Sequence, residues 1–144
     1  MTLQLSKQIS LVSLTGEKIR SANLVASNTA SYYDCKVEIT FGDHCISATH
    51  DDFWHALIQV RKELEAVGYL PALAGACENV SMSHMMADMG RGVRAYVIEL
   101  GKQAHFNHTV DTFDQNLVGK LATVEAQAAF KERWIASDRK HETE

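Results

Sequence analysis

Apolar and polar residues alternate along the N-terminal part of the chain, which is the pattern of strands with one buried face. The clearest alternation is at residues 35–41, where Cys35, Val37, Ile39 and Phe41 are separated by polar residues. Three further strands are predicted at residues 8–14, 18–26 and 45–48, with turns at 15–16 and 42–43 and a polar loop at 27–31. This part of the chain therefore predicts four strands.

After residue 50 the apolar positions recur every three or four residues, as they do in an amphipathic helix. These positions are Phe53, Leu57, Val60, Leu64 and Val67. Asp51 and Asp52 precede them, and short carboxylate side chains satisfy free N–H groups at a helix start. Gly68 follows the last apolar position and is placed to end the helix. The pattern predicts a helix over residues 51–67.

The second half of the chain again has strands followed by a helix. Apolar runs predict strands at residues 69–80, 94–100 and 109–113, and Pro71 favours the edge of a sheet. Thr123 is placed to cap a final helix that extends to about Ser137. One stripe of this helix is apolar: Ala126, Phe130 and Trp134.

This order of elements indicates the fold class. Strands and helices that are segregated along the chain favour an α+β fold, here a largely antiparallel sheet arrangement with two helices in the order ββββ-α-ββββ-α, the strand count being approximate. We expect residues 1–137 to form a single α+β domain. Residues 138–144 have no apolar anchor and are expected to form a flexible C-terminal tail.

Composition and charge narrow the possible partners. The chain has 144 residues, 46% of them hydrophobic and 22% charged, with a formal net charge of −4. Without a basic field, sequence-independent nucleic-acid binding has no electrostatic basis, and an RNA-binding α+β module is disfavoured. We expect no direct nucleic-acid partner. The absence of a signal-peptide pattern and of a long apolar run predicts a cytoplasmic protein with no membrane partner.

Several residues are of types that bind metals or react chemically in other proteins, but their sequence context favours structural roles here. The three cysteines, Cys35, Cys45 and Cys77, form no CxxC pair and are interpreted as small buried hydrophobes. A loop with ligand-type side chains contains His105, His108, Asp111 and Asp114. Because a loop does not fix a common direction for these side chains, we favour a solvated loop over a metal site.

Known catalytic and cofactor motifs are missing from the sequence. The run His50-Asp51-Asp52 resembles a fragment of a metal-hydrolase motif, but its place at a helix start gives both aspartates a capping role. The sequence contains no GxSxG elbow, HExxH pair or phosphate-binding Walker loop. We therefore expect no metal, no other cofactor and no catalytic activity.

The segment 78–101 has the densest unusual chemistry in the chain. It contains four of the five methionines, and Gly90 and Gly92 bracket Arg91, so the backbone there can adopt positive φ or approach another element closely. At helical spacing the methionines could equally face a core, and that alternative stays open. A His84–Asp88 pair on one helical face would be an alternative catalytic dyad. The residues that we expect to contact a partner are Met82, His84, Met85, Asp88, Arg91, Arg94 and Tyr96.

The same segment carries a resemblance to a known family. The runs MSHMMADMGRGVRAY, VDTFD and TVEAQAAFKERW resemble the successive patterns SGMxRDMGGGxxAY, VDIFD and TVEEQxxFxxxW of a poorly characterised bacterial family. The matching residues are Met85, Asp88, Met89, Gly90, Gly92, Ala95, Tyr96, Val110, Asp111, Phe113, Asp114, Thr123, Glu125, Gln127, Phe130 and Trp134. Two positions depart from the pattern: Ala87 stands where the family has arginine, and Arg91 stands where it has its middle glycine.

Members of that family are encoded beside contact-dependent-inhibition or Rhs-type toxins and are regarded as immunity proteins. The resemblance implies a cytoplasmic protein that binds and neutralises the toxic C-terminal domain of such a toxin, with a nuclease as the expected toxin class. Such a protein would act without catalysis. The alternative is a small enzyme or ligand-binding protein with a pocket around His84, Asp88 and Arg91.

Overall fold

The computed structural model describes residues 4–28, 31–105 and 107–137. Within these residues the strands are β1 (Gln4–Ser13), β2 (Ile19–Asn28), β3 (Cys35–Phe41), β4 (His44–His50), β5 (Tyr69–Pro71), β6 (Val80–Ser81), β7 (Arg94–Val97) and β8 (Thr109–Asp111). The helices are α1 (Phe53–Ala66), α2 (His84–Met89) and α3 (Val124–Ala136), with a 3-10 turn at Ala74–Ala76. The predicted α+β class and element order are confirmed, and the short helix α2 is an addition. The predicted tail at 138–144 lies outside the described residues.

The larger sheet has five antiparallel strands in the order β4-β3-β2-β1-β5. Its buried face follows the period-two pattern, since alternate residues of β3 are buried and those between them are partly exposed. Leu24 of β2 lies opposite Ile39 of β3, and neither is accessible to solvent. Pro71 lies in the edge strand β5, as the sequence predicts, because proline cannot donate to a further strand.

Helix α1 covers the buried face of this sheet. Its N-cap is Asp52, whose side chain accepts the N–H of His55, so the predicted capping role is confirmed for Asp52. Asp51 precedes the N-cap, and the helix spans Phe53–Ala66 rather than the predicted 51–67. Gly68 follows the C-cap with a φ of +96°, as a terminating glycine does. The side chains that α1 packs into the main core are Phe53, Ala56, Leu57, Val60 and Leu64. No helix in the described ranges combines the length and apolar character needed to span a bilayer.

The smaller sheet has three antiparallel strands in the order β6-β7-β8. A second hydrophobic cluster lies beside it and consists of Trp54, Cys77, Val80, Met82, Ala95 and Val97. Trp54 belongs to α1, so this helix contributes to both cores. The first turn of α1 therefore contacts both cores, through Phe53 and Trp54.

Three boundaries in the second half differ from the sequence predictions. The run 69–80 is not one strand but β5, the 3-10 turn and β6, because the Ala74 and Gly75 N–H groups donate to carbonyls of residues 114 and 112 instead of to a sheet. The predicted strand 94–100 ends at Val97, and 109–113 ends at Asp111. In α3 the buried residue is Gln127, whereas Ala126 is exposed, so the predicted apolar stripe is wrong at that position.

A buried arginine joins α1 to α3. Arg61 has no accessible surface, and its guanidinium donates to Gln127 Oε1 at 2.7 Å and to the carbonyl of Ala122 at 3.1 Å. Gln127 donates in turn to the carbonyls of Gly75 and Cys77 at 2.9 and 2.8 Å. Burial lowers the pKa of Arg61 to about 10, opposed by nearby Glu65, so the group remains charged at neutral pH. These hydrogen bonds of Arg61 and Gln127, which we call the clamp, hold α3 against the rest of the fold.

Candidate functional site

Helix α2 divides the methionines between the core and the surface. Ser83 caps it by accepting the N–H of Met86 at 3.1 Å, and Gly90 ends it. Met82, just before the helix, is only 7% exposed and belongs to the second core, so it offers little surface to a partner. Met85 and Met89, one helical turn apart, are 64% and 74% exposed. The segment therefore places Met82 in the core and Met85 and Met89 at the surface, so both alternatives are realised.

The turn after α2 contains two consecutive residues with positive φ. Arg91 has a φ of +55° and Gly92 a φ of +74°, whereas Gly90 has a φ of −103°. A Cβ on Gly92 would lie 2.7 Å from the backbone nitrogen of Trp54, so only glycine fits at this contact. The buried Thr112 hydroxyl donates to the Gly92 carbonyl at 2.7 Å and fixes the turn. The expectation of special backbone conformation is right for Gly92 but not for Gly90.

Arg91 reaches back to the loop between β2 and β3. Its guanidinium donates to Asn28 Oδ1 at 2.6 Å and lies 4.3 Å from the ring centroid of Tyr32. Tyr32 packs edge-on against Tyr33 at 4.9 Å, and both tyrosines are exposed. The Tyr32 hydroxyl forms a long, 3.5 Å hydrogen bond with the carbonyl of Met89. Sequence reasoning missed the two tyrosines, for which adjacent aromatics in a polar loop were the available signal.

The remaining predicted residues lie at the surface around α2. Arg94 is exposed on β7 and donates to Thr109 Oγ1 at 2.9 Å, and Tyr96 is partly exposed on the same face of β7. His84 and Asp88 are both exposed on α2, and no hydrogen bond joins them in the described chain. The alternative of a His84–Asp88 dyad therefore gains no geometric support.

These contacts define one continuous patch, which we call the α2 surface. It consists of Tyr32, Tyr33, Met85, Met89, Arg91 and Arg94. Met85, Met89 and Arg94 line a shallow, largely apolar depression of about 330 Å³ within it. Tyrosine, methionine and arginine are the residue types enriched at the centres of protein–protein interfaces. The α2 surface thus has the composition of a recognition site.

A separate cleft of about 380 Å³ lies where α1, α2, β6 and α3 meet. Its floor is apolar, with Trp54, Ile58, Val80 and Met82, and its rim includes His55, His84 and Lys131. Asp88 and Arg91 are not among its lining residues. The structure therefore does not bring His84, Asp88 and Arg91 into one pocket.

Histidines and carboxylates occur together in two regions of the sequence, the loop at 105–114 and the start of α1, and their geometry differs between the two. His105 and His108 are exposed, and Asp111 and Asp114 each accept a backbone N–H within a turn, as a solvated loop would have them. In contrast, His50, Asp52 and His55 offer one ligand atom each within 4.8 Å of one another. Sequence reasoning missed His55, although it stands three residues after Asp52.

The cysteines differ in accessibility. Cys35 and Cys77 are buried, as expected, whereas Cys45 is exposed on β4, so the prediction that all three are buried is wrong there. Cys45 points outward because successive side chains of a strand alternate in direction and its neighbour Ile46 is the one buried. Burial raises the pKa of the Cys35 thiol, and the positive charge of Arg91 only partly opposes this effect.

Comparison of the sequence with models of known protein families and with curated proteins gives no match.

Proposed function

We propose that this protein is an immunity protein that binds the toxic C-terminal domain of a contact-dependent or related polymorphic toxin through the α2 surface. The observation that carries the proposal is the exposure of Met85 and Met89 next to Tyr32 and Arg91. Exposed methionines adapt to a partner's shape, and neighbouring aromatic and arginine side chains provide anchors of higher affinity. The resemblance stated above supplies the class of partner.

The backbone at Arg91 supports the resemblance. The family pattern has glycine at this position, and a φ of +55° is one that glycine adopts without the steric cost that other residues incur. Glycines at the second and third positions of the GGG pattern suit the two consecutive positive φ values of this turn. Arg91 keeps the turn and adds a guanidinium that stacks on Tyr32.

The proposed action requires no chemistry from this chain. A partner that covers the α2 surface would be held by apolar contacts at Met85 and Met89 and by the arginines at its border. The net charge of −4 would favour long-range encounter with a basic partner such as a nuclease that binds phosphates. Asp88, exposed on α2, is a carboxylate that could pair with the cations of such a partner, which the arginines of the α2 surface could not. We propose that inhibition results from covering the toxin's substrate-binding face in the cytoplasm.

The test is co-purification with the toxin domain encoded by the neighbouring gene. Wild-type protein is expected to co-elute with that domain and to protect cells that express it. The double variant Met85→Gln/Met89→Gln preserves side-chain length and helix propensity but removes the apolar contact. We expect at least about 30-fold weaker binding, since residues at an interface centre contribute 2 kcal/mol or more.

The matched control is Leu14→Gln/Ile19→Gln. Leu14 and Ile19 are also exposed apolar residues, 50% and 72%, but they lie at the opposite end of β2 from Asn28 and the α2 surface. This control should bind and protect like the wild type. Absence of both co-elution and protection by wild-type protein would overturn the immunity function. Equal binding by the methionine variant and the control would overturn the assignment of the surface.

The cleft beside His84 supports a second candidate, a protein that binds a small ligand. Its volume of about 380 Å³ suits a metabolite-sized molecule, and His55, His84 and Lys131 at its rim would favour an anionic one. Ligand-observed NMR with a panel of nucleotides and sugar phosphates tests this candidate. The small-ligand candidate requires a compound that binds to the wild type and not to His84→Ala. It is rejected if no compound in the panel behaves in this way.

A further inference from the structure

A cluster of three metal-binding side chains lies where β4 ends and α1 begins. His50 is the last residue of β4, Asp52 is the N-cap of α1, and His55 lies in its first turn. One ligand atom from each lies within 4.8 Å of the other two. We propose that His50, Asp52 and His55 bind one transition-metal ion of the zinc class (Zn²⁺, Ni²⁺ or Cu²⁺), at a site that shares no residue with the α2 surface.

The carboxylate of this cluster is held in place before any ion binds. Asp52 is only 6% exposed, and its Oδ1 accepts the backbone N–H of His55 at 2.8 Å. The Gly92 turn packs against it, since a Cβ on Gly92 would lie 3.1 Å from Asp52 Oδ1. Because this carboxylate is already buried and fixed, it loses little further conformational entropy when it becomes a ligand.

The two imidazoles are accessible and close together. His55 Nδ1 lies 2.8 Å from Asp52 Oδ2, and the rings of His50 and His55 stack with centroids 5.2 Å apart. His50 Nδ1 accepts the N–H of Asp51 at 2.9 Å, so we assign its Nε2 as the ligand atom of the proposed site. Both rings are exposed, so an ion can enter from solvent and the His50 ring can turn toward it. The ion would replace the hydrogen bond between His55 Nδ1 and Asp52: a neutral imidazole would then carry its one proton on Nε2, and an imidazolium would release its Nδ1 proton to solvent.

The donor set selects the class of ion. Two imidazole nitrogens and one carboxylate oxygen suit Zn²⁺, Ni²⁺ and Cu²⁺, whereas Mg²⁺ and Ca²⁺ require more oxygen ligands. Three protein ligands leave at least one coordination position for water or another donor. Because His55 also lines the cleft beside α3, that open position would adjoin the cleft.

The test measures binding of ZnCl₂ to untagged protein by calorimetry and by thermal unfolding. All variants carry Cys45→Ser, because the exposed thiol of Cys45 is itself a zinc ligand type. We expect one zinc ion per chain and a zinc-dependent rise in Tm, with no rise in MgCl₂. His50→Ala and His55→Ala should each weaken binding at least about tenfold, by loss of a ligand.

Two further variants separate ligation from folding. Asp52→Asn keeps an oxygen that can cap α1 but removes the charge, and it should also weaken zinc binding at least about tenfold. His44→Ala removes an exposed histidine at the other end of β4 and should leave zinc binding unchanged. The proposal is overturned if the Cys45→Ser protein takes up no stoichiometric zinc. It is equally overturned if His50→Ala, His55→Ala or Asp52→Asn binds zinc as His44→Ala does.

Discussion

The backbone N–H of Phe53 donates to the carbonyl oxygen of Arg91 at 2.7 Å. Phe53 is the first residue of α1, where a helical N–H has no partner within its own helix. The turn after α2 provides that partner and so closes over the start of α1. The glycine-rich turn therefore has a structural role. Its contact with the start of α1 directs the Arg91 side chain toward Tyr32.

The close contact of this turn with Trp54 predicts a high cost for any side chain at Gly92. In Gly92→Ala the new Cβ would lie 2.7 Å from Trp54 N and 2.9 Å from Trp54 Cβ, at a φ of +74°. We expect a loss of about 2–4 kcal/mol in the free energy of unfolding, from backbone strain and overpacking together. Urea denaturation measures this loss.

The control for this prediction is Gly16→Ala. Gly16 has a similar φ of +79°, but nothing lies within 4 Å of its Cβ position. It should lose only the backbone contribution, about 1 kcal/mol. Equal losses in the two variants would show that the contact with Trp54 is not tight.

Arg91 combines a costly backbone conformation with favourable side-chain contacts, and two substitutions separate them. Arg91→Ala removes the hydrogen bond to Asn28 and the stacking on Tyr32 but keeps the positive φ. Arg91→Gly removes the same contacts and relieves the backbone. We expect Arg91→Gly to be more stable than Arg91→Ala by about 1 kcal/mol in urea denaturation. A glycine variant that is less stable than the alanine variant would contradict the conformation at this residue.

The three cysteines should differ in reactivity because only Cys45 is exposed. The raised pKa of the buried Cys35 thiol further reduces its thiolate population. A chromogenic disulfide reagent should therefore titrate about one thiol in the native protein and all three after denaturation. In Cys45→Ser the fast native reaction should disappear. Rapid labelling of a second native thiol would contradict the burial of Cys35 and Cys77.

The first half of the fold could be predicted from sequence because its signals are local. The alternation at Cys35–Phe41 and the carboxylate of Asp52 before an amphipathic run depend only on neighbouring residues. The apolar run at 69–80 could not be resolved in the same way. Its backbone bonds go to residues far along the chain, and periodicity carries no information about them.

The candidate sites depend even more on tertiary structure. Helix α2 has only six residues, too few for a periodic pattern, and the exposure of Met85 against the burial of Met82 follows from packing on the second core. Tyr32 joins the α2 surface across a sequence separation of 57 residues from Met89. His55 joins His50 only because α1 starts where it does. The sequence identified the segment, whereas only the tertiary structure determines which of its residues are exposed.

The clamp between Arg61 and Gln127 gives the last prediction, a double-mutant cycle. Arg61→Met keeps an apolar stem but leaves Gln127 Oε1 and the Ala122 carbonyl without their buried donor, so we expect a loss of about 2–4 kcal/mol. Gln127→Met leaves the charged guanidinium without its shortest hydrogen bond and should cost a similar amount. In the double variant neither the buried charge nor the amide remains.

The double variant should therefore lose less stability than the two single losses added together, by at least about 1 kcal/mol, because each single change strands a polar group that the second change removes. Urea denaturation of all four proteins at pH 7, where Arg61 is charged, gives this difference directly. The exposed pair Lys102 and Glu99, with nitrogen and oxygen 3.5 Å apart, provides a control cycle whose coupling should be below about 1 kcal/mol. Additive losses at Arg61 and Gln127 would mean that the two residues do not act as one clamp.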